Sequence, residues 1–183
     1  MLKRLFGDTL TDLGNLEGDY RVASLRSDIS QSILYMSVVS LSVLLMLWVD
    51  GILFKDRPVL FQFLVLYRTS YVAVTAIFGM VLYRTTKVRV YDRLLIAWLL
   101  LTVLVRLLLN ITRPVDYLTA PFDIVFIFLI YLISPAKIQY TVMLGVFFSA
   151  GILFVNHFFI PGVDPVTFSV TISAQLTAHM LGW

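Results

Sequence analysis

The feature that most constrains this chain is a succession of apolar blocks, each about as long as a helix that crosses a bilayer. Crossing the hydrocarbon core takes about 20 apolar residues of helix. Six such blocks are separated by short polar turns, at residues 33–54, 60–83, 94–111, 118–134, 138–158 and 166–183. Because a backbone in lipid must satisfy its own hydrogen bonds, each block is predicted to be a transmembrane helix. The expected fold is all-α, a polytopic membrane bundle of six transmembrane helices.

The composition excludes most other classes of protein. A mean hydropathy of +0.92 with only 14% charged residues is far from that of a soluble domain. Six spans fill most of the 183 residues and leave no room for a separate catalytic domain. There is no cysteine for a disulfide, thiolate metal site or cysteine nucleophile, and no Ser/His/Asp set or phosphate-binding glycine loop. We therefore expect no enzymatic activity in this chain, no metal and no cofactor.

The first 32 residues are too polar to form a span. Within them, at 20–31, Val22, Leu25 and Ile29 recur at helical spacing. This pattern predicts a short amphipathic helix on the membrane surface or on the end of the bundle. The alternative is a loosely ordered tail.

The basic residues predict an orientation. The tail, the 84–93 loop and the turn after span 4 hold nine Lys and Arg residues, against three in the opposite loops. The positive-inside rule then places both termini in the cytoplasm. Because these basic residues flank apolar blocks, we interpret the net charge of +3 as an orientation signal and not as evidence of a surface that binds nucleic acid. Span 6 ends without a basic flank, so we expect its helix to continue past Trp183 into a cytoplasmic segment.

A buried arginine marks span 2. Arg68 lies inside an apolar run, roughly 12 Å below one membrane surface at 1.5 Å per residue. It shares one helix face with Tyr71, Thr75 and Gly79. Charged residues at such depth usually face the bundle interior or an aqueous cavity. Arg68 is therefore a candidate functional residue.

Further polar residues fall at the same level, in the outer half of the predicted bilayer. Span 3 carries Arg106 and Asn110 on one face, and span 4 begins with Asp116 and Asp123 on one face. His157, near the end of span 5, is either an interfacial residue or part of the same layer. Two arginines facing the single deep carboxylate of Asp123 would leave one excess positive charge, which Asp116 or an anionic ligand can neutralise.

The last two spans carry smaller polar signals. Gly145 and Ser149 in span 5 have the spacing that allows close helix approach. In span 6, Thr171, Gln175 and His179 follow one inward face. His179 is predicted to hydrogen-bond a neighbouring helix, because no second metal ligand accompanies it at suitable spacing.

Two interpretations of the outer layer stay open. It can be a pocket for a small amphiphilic or anionic molecule, or it can consist of ion pairs that hold the helices together. The candidate ligand-binding residues are Arg68, Tyr71, Arg106, Asn110, Asp116, Asp123, His157 and Gln175.

The stretch 110–118, NITRPVDYL, followed by Asp123 and Tyr131, resembles the MASE-type sensor regions that precede GGDEF diguanylate cyclases. The basic 84–93 loop and the span spacing fit as well. Similar six-helix anchors precede adenylate cyclases and histidine kinases. The GGDEF motif itself is not in this chain, so any catalysis would belong to another part of a longer protein. From the family we carry over only a site at Asn110, Asp116 and Asp123.

The resemblance implies a sensory input domain of a bacterial inner-membrane signalling protein that forms a homodimer. Span 6 would pass a signal to a cytoplasmic output domain when a ligand from the periplasmic side re-pairs Arg68 and Arg106 with Asp123. The only other partners expected are membrane lipids. Two alternatives stay open: a small transporter or channel, which would need a polar path across the bilayer, and a structural anchor that serves dimerisation.

Overall fold

The computed structural model describes residues 15–113, 120–132, 138–160 and 165–182, and these residues are all-α, with no strand among them. The six helices are α1 (Asn15–Leu53), α2 (Pro58–Tyr83), α3 (Val88–Ile111), α4 (Ala120–Leu132), α5 (Ile138–Phe158) and α6 (Pro165–Gly182). Prolines occupy first-turn positions in α2, α4 and α6, where a missing N–H breaks no helical hydrogen bond. The predicted apolar blocks thus correspond to helices.

Four stretches are long and apolar enough to cross a membrane: Tyr20–Leu53, Pro58–Tyr83, Val88–Ile111 and Tyr140–Phe158. Phe122–Tyr131, in α4, is a shorter apolar segment. Large apolar side chains such as Trp48, Val59 and Met80 are at least 60% exposed on the bundle surface, as expected for side chains that face lipid. The chain is a membrane protein.

The helices pack as two groups of three. α1, α2 and α3 contact one another, as do α4, α5 and α6, and α3 joins the groups by packing on α5. Gly151 allows this junction, because a Cβ at that position would lie 2.6 Å from a Leu107 methyl carbon. Among the described residues α1 does not pack on α4. A space is left between these two helices.

The amphipathic segment 20–31 is the beginning of α1 and not a separate helix. Of the three apolar residues in the predicted pattern, Leu25 and Ile29 are buried, whereas Val22 is 68% exposed. Arg21 forms two hydrogen bonds of 2.6 and 2.9 Å with the Asp92 carboxylate at the start of α3. These contacts hold the segment against the end of the bundle, so it continues straight into the first span.

Candidate functional site

A cluster of buried charged residues lies at one end of the bundle, and its centre is Asp50, near the end of α1. Asp50 is fully buried and accepts hydrogen bonds from two arginines. Arg68 donates from Nε to Oδ2 at 2.7 Å and from Nη2 to Oδ1 at 3.3 Å. Arg113, just after α3, approaches Oδ1 with Nη2 at 2.6 Å. We call Asp50, Arg68 and Arg113 the arginine cluster; it connects α1, α2 and the end of α3.

Further contacts stabilise the two guanidinium groups. Arg68 Nη1 also donates to the Val43 carbonyl oxygen at 3.3 Å. The Arg113 guanidinium carbon lies 5.8 Å from the centre of the Phe54 ring, within cation–π range. Burying these charges costs several kcal/mol per ion, which only close pairing offsets. The cluster is thus a tightly specified part of the fold.

A second ion pair lies between α3 and α4. Arg106 donates to Asp123 Oδ1 from Nη2 at 2.8 Å and from Nε at 3.2 Å. Asp123 is 1% exposed, whereas the Arg106 side chain is 19% exposed. Arg106 Nη1 has no hydrogen-bond partner among the described residues. Arg106 therefore combines a fixed carboxylate partner with an accessible donor.

The predicted charge arrangement differs in one respect. The sequence suggested that Arg68 and Arg106 both face Asp123, but Arg68 pairs with Asp50 instead. Neither Asp50 nor Arg113 was among the candidate residues. Both residues come from the same end of the bundle as Arg68, because consecutive antiparallel helices bring the end of α1, the start of α2 and the end of α3 together.

Arg68 and Arg106 line a half-enclosed cavity of about 250 Å³ between α1, α2, α3 and α4. We call it the arginine cavity. Tyr71 and Thr102 contribute a pair of hydroxyls 2.9 Å apart. Apart from Ser42, the rest of the wall is apolar and comes mainly from α1 and α4, with Val38, Val39, Val43, Met46, Phe122, Val125, Phe126 and Leu129. A charged end and an apolar wall suit an amphiphile. The volume lies near the lower limit of about 300 Å³ for ligand pockets, so the molecule must be small or single-chained.

The eight candidate residues separate into groups. Arg68, Tyr71 and Arg106 line the cavity, and Asp123 contacts it through Arg106. Asn110 is fully buried, outside the cavity lining, with no partner for its amide nitrogen or oxygen among the described residues.

Two further candidates, His157 and Gln175, do not line the cavity. His157 is exposed at the end of α5, against Phe158 and Phe168, which agrees with an interfacial role. Gln175 is buried on α6, which contacts only α4 and α5 in the described bundle. Asp116 lies outside the described residues.

A second polar group connects the C-terminal helices. His179 of α6 lies 2.9 Å from Tyr131 Oη through Nδ1 and 2.8 Å from Ser149 Oγ through Nε2. The predicted hydrogen bond between His179 and a neighbouring helix is confirmed. We call Tyr131, Ser149 and His179 the histidine clasp.

Gly145 gives the clasp its space. A Cβ there would lie 3.1 Å from His179 Cε1 and from Tyr131 Cε2 and Oη, which confirms the close approach predicted for this glycine. The Ser149–His179 contact joins α5 to α6. No metal-binding group of His, Cys, Asp or Glu occurs among the described residues.

Buried polar contacts continue along the α2–α3 and α1–α3 interfaces, between the arginine cavity and the 84–93 loop. Trp98 Nε1 donates to Thr75 Oγ1 at 3.1 Å, and Ser32 Oγ lies 2.9 Å from Tyr91 Oη. The interior near the 84–93 loop therefore contains buried polar groups. These groups bond to one another in pairs across helices, an arrangement that satisfies buried polar atoms without a continuous aqueous path.

A scan of protein families, a search of curated proteins and a search of solved structures found no match for this chain.

Proposed function

We propose that this chain is a membrane-embedded sensory domain that binds a small anionic amphiphile in the arginine cavity. The observation that carries the proposal is Arg106: a partly exposed arginine with an unused Nη1 donor, lining a cavity whose remaining wall is largely apolar. A carboxylate headgroup would accept from Arg106, and its chain would lie between α1 and α4. Charge-assisted hydrogen bonds of this kind are strong in a low-dielectric site.

The proposed signal is a change in the distance between α1 and α4. These helices form opposite walls of the cavity and do not pack on each other. A ligand that fills the cavity would contact both walls and favour one distance between α1 and α4. It shifts the equilibrium between a narrow and a wide cavity only as far as its affinities for the two conformations differ. Because α4 packs on α6, a movement of α4 would reach the C-terminal helix.

The proposal includes the arrangement inferred from the sequence. The six helices would all span the inner membrane of a bacterium, with both termini in the cytoplasm, as the distribution of basic residues favours. The chain would act as a homodimer and regulate a C-terminal output domain, a diguanylate cyclase by the MASE resemblance.

Spin labels on α1 and α6 test whether the movement of α4 reaches the C-terminal helix. The chain has no cysteine, so Leu45→Cys on α1 and Leu176→Cys on α6 introduce the only two labelling sites; both side chains are exposed. We expect laurate to narrow and shift the distance distribution in nanodiscs, whereas dodecanol, which lacks the charge, should not. The Arg106→Gln variant should abolish the laurate effect. An unchanged distribution at saturating laurate would contradict a sensory role.

A structural anchor is the second candidate. Its support is that each arginine of the layer already contacts a carboxylate. In that case laurate would bind neither the parent chain nor the variant, and Arg106→Gln would only lower stability.

A further inference from the structure

A second concavity opens on the membrane-facing side of α1 and α2, at the end of the bundle opposite the arginine cluster. It encloses about 780 Å³, within the range of about 300–1,000 Å³ that is common for ligand sites. Its walls run from Ile33 to Leu44 on α1 and from Val72 to Arg84 on α2. We call it the α1–α2 groove. It belongs neither to the arginine cavity nor to the histidine clasp.

Gly79 keeps the groove open. Glycine destabilises a helix interior relative to alanine, so a glycine inside a helix usually serves a purpose such as close packing against a neighbouring helix. At Gly79 close packing is not the reason, because a Cβ added there would meet no atom within 4 Å. The adjacent groove residue Ala76 is also small and is exposed. The absence of side chains at this point creates free space on the lipid-facing surface.

The groove has the length and polarity of an acyl-chain site. The twelve-residue step from Val72 to Arg84 measures about 18 Å at 1.5 Å per residue, close to the roughly 15 Å depth of one leaflet's hydrocarbon. Two of the hydroxyls in its wall are bonded within the protein: Ser37 donates to the Ile33 carbonyl, and Thr75 accepts from Trp98. They present little unmet polarity to a hydrocarbon chain.

Two arginines lie at the mouth of the groove. Arg84 follows the last residue of α2 and is exposed, and Arg26 Nη1 reaches the carbonyl oxygen of Tyr83 at 3.4 Å. Tyr83 is 67% exposed beside them, as is usual for tyrosine at a membrane interface. A phosphate at the bilayer surface would meet both guanidinium groups, which bind phosphate oxygens through pairs of N–H donors.

We propose that the α1–α2 groove binds an anionic phospholipid of the leaflet beside the 84–93 loop. One acyl chain lies along Gly79, and the phosphate contacts Arg84 and Arg26. Charge favours a lipid over a second copy of the chain. Two copies in one membrane, related by an axis along its normal, would place both Arg84 side chains at the same depth and close together, where they repel.

Lipid titration tests the site on the intact chain. The chain in dodecyl maltoside is titrated with dioleoylphosphatidylglycerol or dioleoylphosphatidylcholine, and bound lipid is measured by native mass spectrometry. We expect the anionic lipid to bind more tightly. Combined Arg26→Gln and Arg84→Gln changes should weaken phosphatidylglycerol binding about tenfold, the scale of a lost charge-assisted contact, and change phosphatidylcholine binding little.

Gly79→Phe should weaken the binding of both lipids, because the ring would occupy the groove. Ala73→Phe is the matched control, since it adds the same ring to an exposed position of α2 outside the groove. Circular dichroism verifies that each variant is folded, and Gly79→Leu replaces the phenylalanine if that variant is not. Unchanged binding of both lipids in the folded glycine variant would overturn the proposal. So would a dimer of the parent chain that Gly79→Phe dissociates, since a second copy would then occupy the groove.

Discussion

The arginine cluster and the histidine clasp both connect three helices through buried polar atoms, but with different chemistry. The arginine cluster places one carboxylate between two guanidinium groups in the N-terminal half. The histidine clasp uses an imidazole and two hydroxyls in the C-terminal half. Every atom of the clasp can donate or accept in a neutral state, whereas the cluster depends on charge. Loss of one member should therefore cost much more in the cluster.

The largest effect is expected for Asp50→Ala. The change leaves the buried Arg68 and Arg113 without their shared carboxylate, and breaking a buried ion pair costs about 3–5 kcal/mol. The free energy of unfolding, measured by denaturant titration in mixed micelles, should fall by that amount. Asp56→Ala removes an exposed carboxylate from the adjacent turn and should change stability by less than about 0.5 kcal/mol. Equal losses in the two variants would show that the carboxylate of the cluster contributes no more to stability than an exposed carboxylate does.

Gly145→Ala comes next and disturbs the clasp by crowding. Its Cβ would lie 3.1 Å from atoms of both His179 and Tyr131, neither of which can withdraw without breaking their hydrogen bond. We expect a loss of about 1–3 kcal/mol, as for other overpacked interiors.

Gly79→Ala provides the opposite control. The added Cβ meets nothing, so the gain in helix propensity should stabilise the chain by about 0.5–1 kcal/mol. Thermal unfolding of the two variants should shift in opposite directions. A loss of stability in Gly79→Ala would contradict the open space at Gly79, and no loss in Gly145→Ala would contradict the close packing at Gly145.

The smallest effect is expected for Tyr131→Phe, which removes one hydroxyl from the clasp. Hydrogen bonds between membrane helices average only about 0.6 kcal/mol. A double-mutant cycle with His179→Phe should give a coupling energy of that size. A coupling energy of several kcal/mol would mean that the clasp contributes as much to stability as the arginine cluster.

Hydropathy alone was enough to predict the helices, because each long apolar block must satisfy its backbone internally in lipid. The buried face of α2 could also be predicted, since helical spacing puts Arg68, Tyr71 and Thr75 on one side of the helix. All three residues are buried. Four of the six predicted spans meet the length and hydropathy expected of a transmembrane helix in the described residues.

The partners of the charged residues were harder to predict. Arg68 pairs with Asp50, eighteen positions away, and with no carboxylate on its own helix. One signal was available: Asp50 is the only acidic residue in the apolar block 33–54. Asp50 was not chosen as a candidate because a position near a helix end usually reaches the membrane surface. The histidine clasp was partly predictable from Gly145 and His179, but spacing along one helix does not identify Tyr131 on another.

The central claim is that the arginine cavity binds an anionic amphiphile and does not only hold helices together. The most direct measurement is the unfolding temperature of the parent chain and of Arg106→Gln, each with increasing laurate or dodecanol. A ligand that binds the folded state stabilises it by about 2.7 kcal/mol at a hundred times its Kd. We expect laurate to raise the unfolding temperature of the parent chain, and to raise that of the variant much less. Equal shifts in the two proteins, or no shift in either, would contradict the claim.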